Sequence, residues 1–252
     1  MSTKQILALI GVVLFMSCSN SDNPDIPQEY TGMPLIILDT DIGSSTDDLF
    51  ALEMLYRYEE QGLCRMLGVV VDREGEQNAV FTDVMNTYFG HGNMPIGLVR
   101  KGIDNPKVWI DYAHVADIKD AYGKPMFQRT VNDYSALPDG WQLYRQLLAT
   151  QPDHSVSILC TGFVTCLAQL LQSEGDEYSS LNGKELVRQK VKCIYMQGGS
   201  FGEAEEPDYN FLQGGDFTLE FFRLWPTDVD MVFSPMETGE TVDYNPDQVI
   251  NS

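Results

Sequence analysis

The chain has 252 residues and a mass of 28.3 kDa, which is enough for one large α/β domain. Hydrophobic residues make up 43% and charged residues 21%, and these proportions exclude disorder across the whole chain. The 37 acidic residues outnumber the 16 basic ones and give a net charge of −21. Because such a surface repels a nucleic-acid backbone, we expect no nucleic-acid partner.

The first 33 residues are expected to serve export rather than to join the fold. Residues 6–16 form an apolar run that is too short to span a bilayer but fits the core of a signal peptide over residues 1–17. The run ends before Cys18 and a polar tether, 18–33, and resembles a bacterial lipoprotein signal with Cys18 lipidated. The alternative is an ordinary signal peptide. The sequence thus predicts an exported lipoprotein that is anchored to a membrane of the bacterial cell envelope (periplasm or outer membrane). Membrane fractionation distinguishes the lipoprotein from a protein with an ordinary signal peptide.

The remaining chain, 34–252, alternates between short apolar runs and helical patterns. Strands are predicted at 35–38, 66–71, 95–99, 155–160, 191–196 and 229–233. Helices are predicted around 49–56 and at 77–89, 140–150, 163–172 and 217–224, with a long loop over 100–138. This alternation predicts an α/β domain with an open, mostly parallel sheet and helices on both faces.

Polar and small residues collect directly after the predicted strands. In open parallel sheets, ligands bind outside the carboxyl ends of the strands, near the point where the strand order reverses. The segments at these positions are 39–41, Asp72, 161–162, 197–199 and 234–235. We therefore expect the functional site at this edge of the sheet.

The strongest chemical signal is the segment 39–48, between a buried strand and a helix. It carries four carboxylates, Asp39, Asp41, Asp47 and Asp48. Gly43 permits a sharp turn that would aim Asp41 and Asp48 at one point, and all four carboxylates are expected to converge at the carboxyl edge of the sheet beside Thr161. Residues 45–48 also match a capping box, a structural role for Asp47 or Asp48 that does not explain Asp39 and Asp41. Clustered carboxylates raise one another's pKa unless a cation neutralises them, and oxygen ligands without thiolates favour Ca²⁺ over Zn²⁺.

This segment resembles the amino-terminal signature of the inosine/uridine-preferring nucleoside hydrolases. Three residues rather than one separate Gly43 from the paired aspartates, as in a divergent bacterial branch. Residues 161–165 resemble the family's Thr-Gly-x-Leu-Thr, 196–199 its Met-Gly-Gly turn, and 208–210 its Glu-Phe-Asn, with Asp208 replacing Glu. The resemblance covers about 35–235 and implies Ca²⁺-dependent hydrolysis of the N-glycosidic bond of ribonucleosides or related ribosylated compounds.

The resemblance also implies a metal site and a catalytic base. By match, Asp41 and Asp48 would bind Ca²⁺ together with the backbone carbonyl of Thr161. Asp41 would also take a proton from the metal-bound water. Such chemistry suits an N-glycosidic bond, whose cleavage passes through an oxocarbenium-like state that nearby negative charge stabilises.

Further residues are matched to the substrate. Asp47 and Asn210 would hold ribose hydroxyls, Asp208 would lie near the 5′ side, and Asn78 matches a ribose-contacting asparagine. His114 lies in the long loop with Trp109, Tyr112 and Tyr122. One interpretation is that these aromatics stack on the base and His114 protonates it as it leaves. The alternative is that the loop packs its aromatics on the domain.

The family's sequences normally continue further and supply another Asp ligand. Asp243 and Asp247 lie in a polar tail and are not expected to replace it, so the domain is expected to be carboxy-terminally incomplete. We therefore expect weak Ca²⁺ binding and slow or absent hydrolysis by these residues. A catalytically impaired nucleoside- or Ca²⁺-binding lipoprotein is the alternative function. The expected partner is a small nucleoside, and the sequence does not specify whether a homo-oligomer forms.

A third function belongs to another class of enzyme. An apolar strand followed by Asp39-Thr40-Asp41 also opens phosphatases of the haloacid-dehalogenase type. Gly43 stands where that family normally has Thr or Val, and the paired aspartates come too early in the chain. This alternative is therefore disfavoured.

Overall fold

A computed structural model describes residues 32–102, 111–202, 208–239 and 241. The predicted signal peptide, Cys18 with most of the tether, Trp109, Asp243 and Asp247 lie outside the described residues. The described strands form one six-stranded sheet, and every pairing between them is parallel. The strands are β1 (Leu35–Thr40), β2 (Arg65–Val71), β3 (Ile96–Leu98), β4 (Val156–Cys160), β5 (Val191–Gln197) and β6 (Asp230–Ser234). The predicted open parallel sheet is confirmed.

Helices cover both faces of this sheet. They are α1 (Thr46–Glu60), α2 (Glu76–Tyr88), α3 (Gly140–Ala149), α4 (Thr165–Gln172), α5 (Gly183–Lys190), α6 (Tyr209–Leu224) and the single turn α7 (Met236–Gly239). One hydrophobic core contains Ile37 and Ile158 and packs against α3 to α6, while Leu38 and Val69 belong to a second core beneath α1 and α2. Among the helices in the described part of the chain, none has the length and apolarity needed to cross a bilayer.

The central strand β1 determines where a ligand can bind. All six of its residues are buried, because the sheet covers both edges of the strand and helices cover both faces. Its uninterrupted apolar start is typical of such a strand. The strand order is β3-β2-β1-β4-β5-β6, so the chain moves outward from β1 to β3 and then returns to β4 on the other side. The topological switch point therefore lies between the carboxyl ends of β1 and β4.

Two helices differ from the sequence-based expectation. α5 (Gly183–Lys190) was not predicted, although Asn182 and Glu185 form a complete capping box at its start. α6 begins at Tyr209 rather than at residue 217, because the Asp208 side chain caps its first turn. A break at Gly215, with a φ of 50°, separates its two halves. The predicted helix at 217–224 corresponds to the second half alone.

A buried carboxylate holds the carboxy-terminal part of the loop that the sequence predicts at 100–138. Asp83 of α2 accepts hydrogen bonds from the backbone of Thr130 and Val131 and from the Tyr134 hydroxyl. Two 3₁₀ turns, Ala113–Asp117 and Tyr134–Ala136, lie within it. Tyr112 packs edge-on against Phe81 at 5.1 Å between ring centroids. For Tyr112, the packing interpretation of the aromatic loop is therefore the one observed.

Candidate active site

The turn after β1 requires glycine at position 43. Its φ is +122°, a conformation that residues with a Cβ rarely adopt. A Cβ there would lie only 2.7 Å from both the Arg73 guanidinium and the Asn78 side-chain oxygen. Tyr112 fixes the turn from outside, since its hydroxyl donates to the Ser45 carbonyl at 2.5 Å and accepts from the Gly43 amide at 3.1 Å. The chain therefore doubles back and brings the start of α1 over the end of β1.

Asp41 and Asp48, hereafter the acidic pair, meet at the switch point. Their exposed fractions are 6% and 2%. The Asp48 carboxylate accepts hydrogen bonds of 2.7 Å from the hydroxyls of Thr40 and Thr161. Ser45 makes no side-chain hydrogen bond at the start of α1. The capping-box interpretation is thus wrong for Asp48, because hydroxyls at the ends of β1 and β4 hold its carboxylate over the sheet.

Burial makes the acidic pair difficult to ionise. It raises the pKa of Asp41 to about 7, with repulsion from Asp47 adding to the effect and the Arg73 charge opposing it. The pKa of Asp48 is also raised well above its usual value, first by burial and then by repulsion from Asp41 and Asp47. The pKa of Asp41 also responds to the Asp48 side chain, so the two carboxyl groups lie close together. At neutral pH, the pair therefore favours a bound proton or another cation over two uncompensated charges.

Asp39 and Asp72, hereafter the lower pair, lie beneath this site rather than in it. Asp39 is fully buried and accepts a hydrogen bond from the Tyr144 hydroxyl at 2.7 Å. Asp72 accepts one from the Cys166 amide at 3.2 Å. Burial raises the pKa of Asp72 to about 7 and that of Asp39 well above its usual value. The predicted convergence of Asp39 with the other aspartates on the open edge is wrong, because its side chain points into the core.

Asp47 and Asn210 lie on the β5 side of the acidic pair. Asp47 is exposed and accepts a 2.9 Å hydrogen bond from the Gln197 side chain. The Asn210 amide donates to the carbonyls of Thr161 at 3.2 Å and Gln197 at 3.4 Å. Gln197 therefore touches both predicted ribose ligands. Sequence reasoning placed Gln197 at this edge without assigning it a partner.

Helix α6 presents a cap and an aromatic ring on the same side. The Asp208 carboxylate accepts a hydrogen bond from the Phe211 amide at 3.1 Å and so caps the helix. Its predicted contact with a ribose 5′ group stays a prediction. Tyr209 is exposed and its ring lies 6.4 Å from that of Phe163, close enough to feel the charges of Asp41 and Arg73. An aromatic surface is thus available beside the acidic pair.

Asn78 and His114 lie on the opposite, β2 side. The Asn78 amide donates to the carbonyls of Arg73 and Glu74, and its oxygen accepts from the Arg73 guanidinium at 3.4 Å. His114 is 64% exposed, and its ring nitrogens lie 3.1 Å from Asp117 and 3.5 Å from Asp111. Neither side chain has a described contact with the acidic pair, and their predicted roles toward a substrate stay predictions. The sequence did not identify Arg73 as a residue of the site. The only feature that points to it is its position directly after Asp72 at the end of β2.

The chemistry of these donors fits a hard cation. Asp41 and Asp48 offer carboxylate oxygens, and the Thr161 carbonyl offers a backbone oxygen on the same edge. Within residues 32–102, 111–202, 208–239 and 241, no three His, Cys, Asp or Glu side chains are grouped as a metal site. The four described cysteines, Cys64, Cys160, Cys166 and Cys193, are buried and form no disulfide with one another. Oxygen donors without thiolate or imidazole ligands suit a hard cation better than Zn²⁺.

No protein-family model matches the sequence, and no curated protein does. Solved structures match the fold. The type III effector protein XopQ, complexed with adenosine diphosphate ribose, matches with a TM-score of 0.63 and 17% identity, over 94% of this chain and 62% of that one. The plant nucleoside hydrolase PpNRh1 matches with a TM-score of 0.58 and 14% identity, over 82% and 61%. The purine-preferring ribonucleoside hydrolase from Gardnerella vaginalis matches with a TM-score of 0.51 and 14% identity, over 79% and 60%.

The chain has a nucleoside hydrolase-like fold. This agrees with the fold that the sequence resemblance implied. At such low identities the likeness establishes the fold alone, because one fold can carry several chemistries. The chain spans about three fifths of the length of each of these structures.

Proposed function

We propose that this chain hydrolyses the N-glycosidic bond of ribonucleosides or related ribosylated compounds in a Ca²⁺-dependent reaction. The observation that supports this most is the acidic pair, two buried and closely spaced carboxylates at the switch point of a nucleoside hydrolase-like fold. Asp41, Asp48 and the Thr161 carbonyl would hold the cation. Bound Ca²⁺ would lower the pKa of a water molecule and orient it.

Asp41 is the proposed general base. In the metal-free chain burial raises the pKa of Asp41 to about 7. A bound cation would lower it again, so that the carboxylate is ionised and can take a proton from water. Asp41 accepts a proton as water adds to the anomeric carbon. The bond from that carbon to the base nitrogen breaks, and its electrons leave with the base. The negative charge of the acidic pair stabilises the oxocarbenium-like transition state.

The proposed substrate contacts are assigned according to where each residue lies around the acidic pair. Asp47 and Asn210 are proposed to bind the ribose hydroxyls, because an exposed carboxylate and an amide flank the acidic pair on the β5 side. Asp208 and Asn78 are proposed as further ribose contacts, although both now hydrogen-bond within the chain. His114 is proposed as the acid that protonates the leaving base. Since one matched structure is complexed with adenosine diphosphate ribose, that compound belongs among the candidate substrates.

The phosphatase alternative receives no support from the geometry. In that mechanism Asp39 would be the nucleophile and would have to reach a phosphate. The Asp39 side chain is instead fully buried against Tyr144. A nucleophile without access to solvent cannot meet its substrate.

A panel assay tests the proposal. The full chain is incubated with ribonucleosides, their 2′-deoxy counterparts and adenosine diphosphate ribose, with Ca²⁺ or with a chelator, and released sugar is measured. We expect slow release, in line with the weak Ca²⁺ binding predicted from the sequence, that needs Ca²⁺ and falls at least about 100-fold further in Asp41→Asn, as for loss of a general base. Asp153→Asn, which removes an exposed carboxylate paired with Lys190 far from the site, is the matched control and keeps its activity.

Three results would each contradict a different part of the proposal. Binding of nucleoside and Ca²⁺ without any sugar release favours the catalytically impaired binding protein. Sugar release that is equal with and without chelator removes Ca²⁺ from the mechanism. Equal activity in Asp41→Asn and Asp153→Asn removes Asp41 from it.

A further inference from the structure

The two edge strands of the sheet differ in how they are covered. The short strand β3 is buried, and the segment before α3 lies along it, since the Leu98 amide donates to the Pro138 carbonyl at 3.1 Å and Leu98 bridges to Asp139. Strand β6 (Asp230–Ser234) pairs with β5 on one side, and no bridge in the described part of the chain reaches its outer side. An open edge of this kind is a template for pairing with another strand.

One face of the sheet becomes more exposed toward β6. Leu38, Leu159, Tyr195 and Val232 are register partners across the adjacent strands β1, β4, β5 and β6, so their side chains share a face. Leu38 is fully buried beneath α1 and α2, Leu159 and Tyr195 are half-buried, and Val232 is 38% exposed. The helices that cover this face at the centre of the sheet therefore leave it partly open at β6.

The opposite face of β6 adds apolar surface from helix α6. The Phe222 ring stacks on that of Phe233 with 6.3 Å between centroids, yet Phe222 is 41% exposed. Leu219 lies three residues earlier on the same side of the helix and is also exposed. Apolar side chains thus flank the open strand, as is typical of a protein contact surface.

The backbone of β6 is suited to pairing with a copy of itself. The Gly198 amide donates to the Ser234 carbonyl at 3.1 Å, so the backbone groups of Ser234 point toward β5. Because this direction alternates along a strand, those of Met231 and Phe233 point outward. In an antiparallel pair of β6 strands centred on Val232, Met231 lies opposite the partner's Phe233, and the two such pairs provide four backbone hydrogen bonds.

The side chains and charges agree with this register. Val232 would face the same valine of the second copy, and Asp230 would face the partner's Ser234, so no like charges meet across the pair. The net charge of −21 opposes contact between most surfaces of two copies. Beside β6, however, two exposed acids are already paired, Asp228 with Arg188 and Glu220 with Arg223.

We propose that β6 is a dimerisation edge, at which two copies of this chain join their sheets about a two-fold axis that passes through Val232. The axis is perpendicular to the sheet, so it brings Leu219 and Phe222 of both copies to the same face of the joined sheet. A two-fold contact of this kind closes on itself and leaves neither β6 edge open. The inference goes beyond the proposed hydrolysis and does not depend on it.

Cysteine cross-linking of the full chain tests the register. Val232→Cys places two thiols opposite each other with Cα atoms about 4.5 Å apart, within the range of a disulfide. Ser234→Cys is the matched control on the same strand and face, because its two copies would lie more than about 12 Å apart along the strands. We expect mild oxidation to give a covalent dimer of Val232→Cys and none of Ser234→Cys.

A mixture sharpens this test. Asp230→Cys and Ser234→Cys occupy opposite positions in the proposed register, so the two variants should cross-link to each other when mixed but not when oxidised separately. The wild type, whose four described cysteines are buried, detects any cross-link that does not involve the new thiol.

Sedimentation velocity of the full chain measures the strength of the contact, with a mild detergent present to prevent association through a lipid. Val232→Lys places two like charges on the axis, and we expect the dissociation constant of the dimer to rise at least about tenfold. The exposed side chain makes this change compatible with the fold. Val115→Lys, the same change at a valine that is 44% exposed and lies outside this edge, should keep the wild-type value.

Three outcomes overturn the proposal. A wild type that stays monomeric at high micromolar concentration means that the chain itself or a different protein covers the edge. A dimer that Val232→Lys leaves unchanged lies on another surface. Equal cross-linking of Val232→Cys and Ser234→Cys excludes the two-fold register, and this comparison decides alone if Val232→Lys does not fold.

Discussion

Two of the buried charged sites in this molecule are arranged in opposite ways. In the first, here called the arginine clamp, Arg145 of α3 holds the segment between α4 and α5. Its guanidinium donates to both oxygens of Asp176, to the Ser173 hydroxyl and to the carbonyls of Ser179 and Leu181. These bonds lower the pKa of Asp176. A buried charge that is hydrogen-bonded in this way stabilises the fold.

The acidic pair shows the reverse arrangement. Its two carboxylates have like charge and face each other, and burial raises the pKa of both. Nothing about the packing of β1 or α1 requires two acids at this point, and apolar residues there would avoid the repulsion. The contrast teaches that buried charge in this chain is either matched by direct hydrogen bonds, as at Arg145, or left with raised pKa values, as in the acidic pair. An acid with a lowered pKa is stabilised by its neighbours, whereas an acid with a raised pKa is tolerated for another reason.

Removing the charge of the arginine clamp should have the largest effect. Arg145→Met leaves Asp176 and two carbonyls without their buried donor, so we expect the free energy of unfolding to fall by about 3–5 kcal/mol. Urea denaturation measures it. Arg188→Met is the matched control, because Arg188 pairs with Asp228 on the surface, where such pairs contribute about 1 kcal/mol or less. Equal losses in the two variants would contradict the comparison.

The lower pair should produce a pH dependence of intermediate size. Burial raises the pKa of Asp72 from 3.8 to about 7, so the folded chain binds this proton more tightly than the unfolded chain. Its contribution to stability is complete below pH 3.8, declines as pH rises toward 7 and is lost above it. Relative to Asp72→Asn, the metal-free wild type should therefore lose roughly 1–3 kcal/mol between pH 4 and pH 8. Urea denaturation across this range measures it, and parallel curves for the two proteins would refute it.

Neutralising the acidic pair should give the smallest change, with the opposite sign to that of the arginine clamp. Asp41→Asn removes a buried charge and its repulsion, so we expect the metal-free protein to gain about 1 kcal/mol at pH 8, the trade-off common at functional sites. Thermal unfolding in the presence of a chelator measures it. Asp153→Asn, whose carboxylate bonds to Lys190, should lose stability slightly. A destabilised Asp41→Asn would mean that the carboxylate serves the fold.

The strands were predictable from the sequence because the sheet buries them on both sides. Residues 66–71 and 155–160 are short apolar runs between polar segments, and such runs are expected to form strands in the interior. The acidic pair was predictable for a related reason, since Gly43 and the end of β1 are local features. Helix α5 was missed because most of its residues are polar and only Leu186 and Val187 of its body are buried with Gly183.

Contacts between distant segments could not be derived from local pattern. The Thr161 hydroxyl bonds to Asp48 across more than a hundred residues, and Gln197 reaches Asp47 over a longer interval. Tertiary contacts of this kind also determine how deeply a side chain is buried. Asp39 and Asp41 are two residues apart and carry the same group, yet one bonds to Tyr144 in the core and the other faces the open edge. Resemblance to a family's motifs identifies the residues of the site, but it does not show how deeply each side chain is buried.

The position of β1 between β2 and β4 has a consequence for how the protein forms during synthesis. Along the chain β2 follows β1 closely. The other edge of β1 pairs with β4, where Leu35 aligns with Val156, and β4 comes much later in the sequence. At roughly 5–20 residues per second, translation takes several seconds or more to deliver that partner. Over this interval β1 is an apolar strand with one uncovered edge, the arrangement most prone to pairing with another chain. Mutations that delay β4 should therefore reduce soluble yield before they reduce the stability of the finished fold.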